Sequence, residues 1–478
     1  MTTLAHIGGA VAGIGLGVLV AGSGRLLRLA GLASVALGVL CLAAYLAPAG
    51  HHVAYVGAGV AGAVAAVAGA VALRRWPWIL AFATLLLVPV RVPITVGATE
   101  ANLLVPLYLV VASAAMLLAW ELAAGDRRSR ELGLATLPLA GLVAWTGLSL
   151  SWTLDLKRGA IELLFFYFPF GLLALAFARL PWRPRLVPWL YVQLAAMALL
   201  FAFVGLYQEA AHDVFWNPKV IVGNAYESFF RVNSLFWDPS IYGRFLVVAI
   251  LAGLVVVLLG PGGRVRVAAA AAIGVSWAGL FFSFSQSSFA ALIVGVIIAA
   301  AVAFRPRQAT VTTAAAVVIA LVAVWPSRAP ASAVVPPVAQ EVGSRGKLVS
   351  EGIHVALDHP LAGVGIGGFN RAYADRVGLK GAGLKRAASH TTPVTVAAET
   401  GIVGLALLVW LAVTALVMPF SRAGPSLTGR ASLAFGLTLV AIGVHSLGYN
   451  ALFEDPMAWS VLGLAACAAL ARPEEQRT

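Results

Sequence analysis

Runs of about twenty consecutive apolar residues, the length a helix needs to cross the hydrocarbon core of a bilayer, recur from one end of this chain to the other. Inside lipid the backbone has no water to bond, so such runs must fold as helices that satisfy themselves. Hydrophobic residues make up 61% of the sequence and charged residues 11%. Soluble globular domains are nearer a quarter charged. A soluble domain is therefore excluded, and the expected fold is an all-α, polytopic membrane helix bundle. We count about fifteen spans, within a range of roughly 12 to 15. They include runs near 76–90, 309–325 and 457–472.

The formal charge of +13 would suit a nucleic-acid partner if it were gathered in one patch, but it is not. Short loops carrying Arg25/Arg28, Arg74/Arg75, Arg127/Arg128/Arg130, Arg183/Arg185, Arg264/Arg266 and Arg305/Arg307 alternate with loops poor in Arg and Lys. That alternation makes the basic loops cytoplasmic and excludes nucleic acid as the explanation. It also puts 326–393 on the extracytoplasmic face. That segment is basic too, but long loops translocate largely regardless of charge. Its cations point to an anionic ligand. The expected organisation is accessory N-terminal membrane helices over 1–75, a membrane core over 76–325, the extracytoplasmic loop with short helices over 326–393, and C-terminal membrane helices over 394–478. Small residues in the first segment favour close helix contacts. Cys41 and Cys467 fall within apolar runs and form neither a disulfide frame nor a zinc site.

One long segment breaks the apolar pattern, residues 345–404. It begins Arg345-Gly-Lys and passes through "DHPLAGVGIGGF" from Asp358, "SHTTP" from Ser389 and "ETGIVG" from Glu399. Polar sequence in a membrane protein must be buried in protein or face water, which makes it the first place to look for chemistry. Leu348, Ile353, Ala356 and Leu357 can share one helical face, and Pro360 ends that helix. Gly363, Gly365, Gly367 and Gly368 either bring backbone amides to a phosphate or form a tight turn. Thr392 reads as an N-cap with Pro393 at the first helical position, so His390 stands just ahead of a membrane helix. A neutral imidazole there can act as a general base; the bland alternative is a histidine that packs the loop. Glu399 lies roughly 9 Å down the helix from Pro393, as a catalytic acid or as a structural partner to loop donors. Asp358/His359, Asp238 and Glu454/Asp455 run into prolines and read as turn and cap residues.

These residues resemble a known family. "HPLAGVGIGGF" followed by "SHTTPVTVAAETGIVGL" is similar to the C-terminal signature of the O-antigen ligase and polymerase-like family. "RVNSLFWDPSIYGRFL" from Arg231, "FSFSQSSFAALIVG" from Phe282 and "HSLGYNALFEDPMAW" from His445 resemble further family segments. The resemblance implies a metal-independent, cofactor-free glycosyltransferase in the bacterial cytoplasmic membrane. Its partners would be a polyprenyl-diphosphate-linked glycan donor, a glycan or glycolipid acceptor and the lipid bilayer. It implies His390 as the base and Arg231 as a ligand of the donor diphosphate. The chain departs from the pattern twice: Thr391 stands where Asn is common, and Gln286 where the family has arginine. A neutral amide cannot replace a guanidinium on a diphosphate, which makes Arg345 and Arg244 the candidate replacements. The alternatives are a glycan-repeat polymerase of the same family, a lipid-linked glycan transporter or flippase, and a non-catalytic scaffold.

Overall fold

The computed structural model describes residues 1–47, 52–96, 99–226, 229–304, 345–378 and 391–471. Its helices run in the order α1 (Thr2–Ala21), α2 (Arg25–Leu46), α3 (His52–Arg75), α4 (Ile79–Leu87), α5 (Val105–Ala123), α6 (Thr136–Ser149), α7 (Leu156–Glu162) and α8 (Phe168–Ala178). After these come α9 (Val187–Ala211), α10 (Pro218–Tyr226), α11 (Pro239–Leu259), α12 (Arg264–Ser283) and α13 (Gln286–Ala303). The last are α14 (Arg345–Asp358), α15 (Phe369–Val377), α16 (Thr392–Phe420), α17 (Leu427–His445) and α18 (Pro456–Leu470). One short antiparallel hairpin, β1 (Val92–Val96) with β2 (Thr99–Leu103), joins α4 to α5.

Among the described residues twelve helices are long and apolar enough to cross a membrane, so the protein is a multi-pass membrane helix bundle. Two of the expected runs form shorter elements. Pro77 and Pro89 bracket α4 and hold it to nine residues, because proline lacks the N–H that would continue the ladder. The run near 457–472 becomes the 15-residue α18. The run near 309–325 lies outside the described residues.

The chain divides into two compact units. Unit 1 comprises Met1–Pro181, Val338–Ala415 and Asn450–Leu470, and unit 2 comprises Trp182–Pro337, Leu416–Tyr449 and Ala471–Thr478. Within unit 1, α1 packs on α2 and α6, α3 on α5, and α18 on α8. Lipid tails are as apolar as the side chains, so helix association in a membrane depends on close packing and polar contacts. Two faces of α1 supply the packing. Gly8 and Gly15 meet α2, while Gly9, Gly13 and Gly17 meet α6; a Cβ on Gly13 would lie 2.7 Å from the Gly147 Cα. The N-terminal helices are thus built into unit 1.

A buried ionic cluster supplies the polar contacts. Glu131 accepts from Arg28 Nη1 at 2.7 Å and from Arg179 Nη1 at 2.5 Å. Arg179 also reaches Glu121 and Asp126, and Arg128 pairs with the same two acids at the exposed rim. Burial opposes ionisation of Asp126, but the Arg128 amide and the Arg179 guanidinium outweigh it and lower its pKa to about 2. Its contribution is therefore complete above the ordinary carboxylate range and is lost as pH falls toward that value.

Unit 2 is organised around α11, which packs against α9, α12, α13 and α17. Asp238 caps α11 by accepting from the Ser240 amide at 2.7 Å. Asp455 does the same before α18 in unit 1, taking the Met457 amide at 2.9 Å.

Candidate functional site

The two halves of the sequence signature form one hydrogen-bonded assembly in unit 1. A regular helix would bond the Ile402 amide to the Ala398 carbonyl. Here α16 breaks at Gly401, whose φ of 67° and ψ of −166° belong to a region that essentially only glycine occupies. Ile402 N–H turns to the Pro360 carbonyl at 2.8 Å. The carbonyls of Ala398 and Glu399 then accept from Val364 and Gly365 at 2.9 and 2.8 Å. On its other side the loop is held by the end of α6 and the turn after it. Thr153 Oγ1 donates to Ile366 O at 2.7 Å, Leu154 N to Val364 O at 3.1 Å, and Trp152 Nε1 to Ala362 O at 3.2 Å. Ser149 Oγ accepts from Ile366 N at 3.2 Å.

The glycines are where they are because backbones touch. A Cβ on Gly365 would lie 2.3 Å from the Thr153 Cα, and one on Gly401 2.2 Å from the Leu361 carbonyl. The amides of Gly363, Val364, Gly365 and Gly368 are spent on protein carbonyls. The segment is a clamped turn, and these amides do not form a phosphate cradle. We expect Gly401→Val to lower the thermal unfolding midpoint in detergent, by at least about 2 kcal/mol of stability from strain and clash together. An unchanged midpoint would show that the clamp is unimportant.

Outside the clamp, α14 and α15 pack through Leu348, Val355, Phe369 and Tyr373. The buried stripe of α14 is Leu348, Gly352 and Val355, while Ile353 and Leu357 are exposed. This corrects the face expected from apolar spacing. Gly352 gives Phe369 a flat seat, with the ring 3.1 Å from where a Cβ would stand. Asp358 and Glu351 both pair with Arg376.

Glu399 is 4% exposed, and its Oε1 accepts from the Phe369 amide at 3.2 Å. It thus sits at the N-terminus of α15, where a negative charge is favoured by the helix dipole. It also lines a cavity wholly within unit 1, together with Arg158, Glu162, Tyr167, Asn370, Thr395, Asn450, Phe453 and Glu454. Arg158 Nε lies 3.1 Å from Glu162 Oε1. Tyr167 stacks on Phe453 with ring centroids 4.6 Å apart. The segment Leu163–Tyr167 is a π-helical turn inside a membrane span, a device found often at functional sites. Among the described residues, no group of three or more His, Cys, Asp or Glu side chains is placed to hold a metal ion.

Arg231, Arg244 and Gln286 belong to unit 2. Arg231 is anchored by Asn224, which accepts from its amide and donates to its carbonyl, both at 3.0 Å. Its guanidinium Nε donates to Ser283 O at 3.2 Å. Ser285 caps α13 and Gln286 follows as the first helical residue, with its side chain exposed. Arg231 is therefore drawn to the turn that leads into Gln286. Arg244 is 4% exposed on α11. Nearby, His445 is fully buried and its Nε2 lies 3.1 Å from Ser240 O.

His390 lies outside the described residues. Its covalent neighbour Thr391 is buried, and α16 begins at Thr392, with Pro393 second in the helix. Thr392 Oγ1 donates to Asn450 Oδ1 at 3.0 Å. Arg345 opens α14; its side chain lies outside the description. Sequence reading missed the grouping of Glu162, Asn370 and Asn450 with Glu399. One signal was available: Glu162 is an acid inside an apolar run, where ionisable residues are costly and usually functional or paired.

Residues 269–409 match a family model described as O-antigen ligase. No curated protein matches the chain.

Proposed function

We propose, from the chain's place in the O-antigen ligase-like family, that it transfers a glycan from a polyprenyl-diphosphate carrier to an acceptor hydroxyl. The reaction takes place on the extracytoplasmic face of a bacterial cytoplasmic membrane and needs no metal. The observation that supports this reading best is the clamp. Both halves of the family signature lie within the matched residues and are built into each other, and the same helix start carries the chain on from His390.

In this mechanism the acceptor oxygen attacks the anomeric carbon, the bond from that carbon to the diphosphate oxygen breaks, and the lipid diphosphate leaves. His390 takes the proton from the attacking hydroxyl. The following helix N-terminus disfavours imidazolium and favours an anion nearby. Arg231, Arg345 and Arg244 hold the diphosphate, since guanidinium forks match phosphate oxygens. Glu399 supports the loop through the Phe369 amide. A polymerase would use the same steps with a carrier-linked glycan as acceptor.

The test is turnover by the purified protein in liposomes, scored as lipid-diphosphate release and product size. Arg231→Lys keeps the charge but loses the fork, and should weaken donor use. Arg231→Ala should raise the donor KM about 10–100-fold, the usual range for a lost charged hydrogen bond. Normal donor affinity and turnover in Arg231→Ala would remove that residue from the site.

A further inference from the structure

The unit 1 cavity has a chemistry of its own. Its charged lining is three carboxylates, Glu162, Glu399 and Glu454, against one guanidinium, Arg158, and that guanidinium already faces Glu162. A diphosphate placed there would meet more carboxyl groups than cations, and like charges brought together cost several kcal/mol. A neutral sugar meets the opposite situation. Its hydroxyls both donate and accept, and each carboxyl group offers them two oxygens with room for several partners.

Two further observations point the same way. Glu454 makes no hydrogen bond or ion pair with any described residue, although it lines the cavity. Asn450 spends its Oδ1 on Thr392 and keeps amide N–H donors for an incoming oxygen. The remaining wall is aromatic: Phe166, the Tyr167–Phe453 stack and Phe369. Carboxylates and amides beside aromatic faces suit a pyranose, which is polar at its rim and apolar across its C–H face.

We infer that this cavity binds a neutral sugar ring of a glycan substrate and excludes the diphosphate. The inference rests on the glycan-transfer reading only for the source of the sugar, which is the acceptor's glycan or the donor's. Binding can be measured without turnover. The full-length protein in nanodiscs is examined by saturation-transfer NMR with neutral hexopyranose disaccharides (cellobiose, maltose and lactose). Inorganic pyrophosphate serves as the competitor. The expected result is saturation of at least one disaccharide and no displacement by pyrophosphate. Glu454→Gln and Glu162→Gln should each weaken that binding about tenfold or more, because each removes a charged acceptor. Glu454→Gln breaks no ion pair, so its effect is separable from folding.

Absence of sugar binding to the wild-type protein overturns the inference. So does unchanged binding in both variants, or displacement of the sugar by pyrophosphate. A kinetic arm assigns the source: a raised KM for the acceptor alone identifies the acceptor's sugar, and a raised KM for the donor alone identifies the donor's. Unchanged values for both overturn the inference. If the wild-type protein releases no lipid diphosphate, the glycan-transfer reading falls while the binding arm still decides the cavity.

Discussion

His390→Ala is expected to reach the membrane folded, bind the donor and transfer glycan about 10²–10⁴-fold more slowly, the usual loss for a general base. The reason is local chemistry. The loop sequence is rich in cations, which take no proton, and Glu399, on the helix that follows, is committed to the Phe369 amide. His390→Gln should be nearly as slow, because it keeps polarity without basicity. His354 and His359 are exposed. The bond that involves His359 in the clamp uses its backbone carbonyl, so alanine at either position should be mild. Transfer by His390→Ala above about a tenth of the wild-type rate would exclude the role. A Glu399→Gln protein that is inactive while His390→Ala is not would make the buried carboxylate the base.

Glu131→Ala should lower stability by about 3–5 kcal/mol, the range for removing one partner of a buried ion pair. Two guanidinium groups converge on that carboxylate, and Arg28 and Arg179 are 1% and 9% exposed. Removing the acid takes from buried Arg28 the carboxylate it pairs with, while Arg179 keeps Glu121 and Asp126. Arg128→Ala is the contrast. Its side chain is 50% exposed, and exposed pairs contribute about 1 kcal/mol or less. Denaturant titration of both variants in detergent should separate them clearly. Equal midpoints would mean that the cluster carries no weight in holding α2 to the rest of unit 1.

Apolar run length is set by the bilayer, so the membrane-crossing helices could be read directly. It failed at Pro77 and Pro89, where hydrophobicity continues but the hydrogen-bond ladder does not. The signature loop could be read as the one long polar segment, and its glycines as a turn. What they turn against could not be read: Thr153 and Ser149 lie some two hundred residues upstream. Helical periodicity misplaced the α14 face because it does not count glycine as a packing surface, yet Gly352 is where Phe369 rests. The cavity was hidden for the same reason as the clamp. Arg158 and Glu162 share α7 as an i,i+4 pair, but Asn370 and Asn450 come from two distant segments, and no local spacing joins them to that pair.

The clamp also constrains how the protein can be made. Ser149 and Trp152 leave the ribosome early, but their partners at 362–366 are separated from them by 217 and 210 residues. Contacts of such separation close late. The early helices must therefore wait in the membrane with Ser149, Trp152 and Thr153 without these partners, while all of 182–337 is synthesised. Only when the insertion machinery has delivered α16 as far as Ile402 can the loop be tied down. Truncation anywhere before that point leaves an open half-assembly, the kind of intermediate that membrane proteases and holding chaperones recognise.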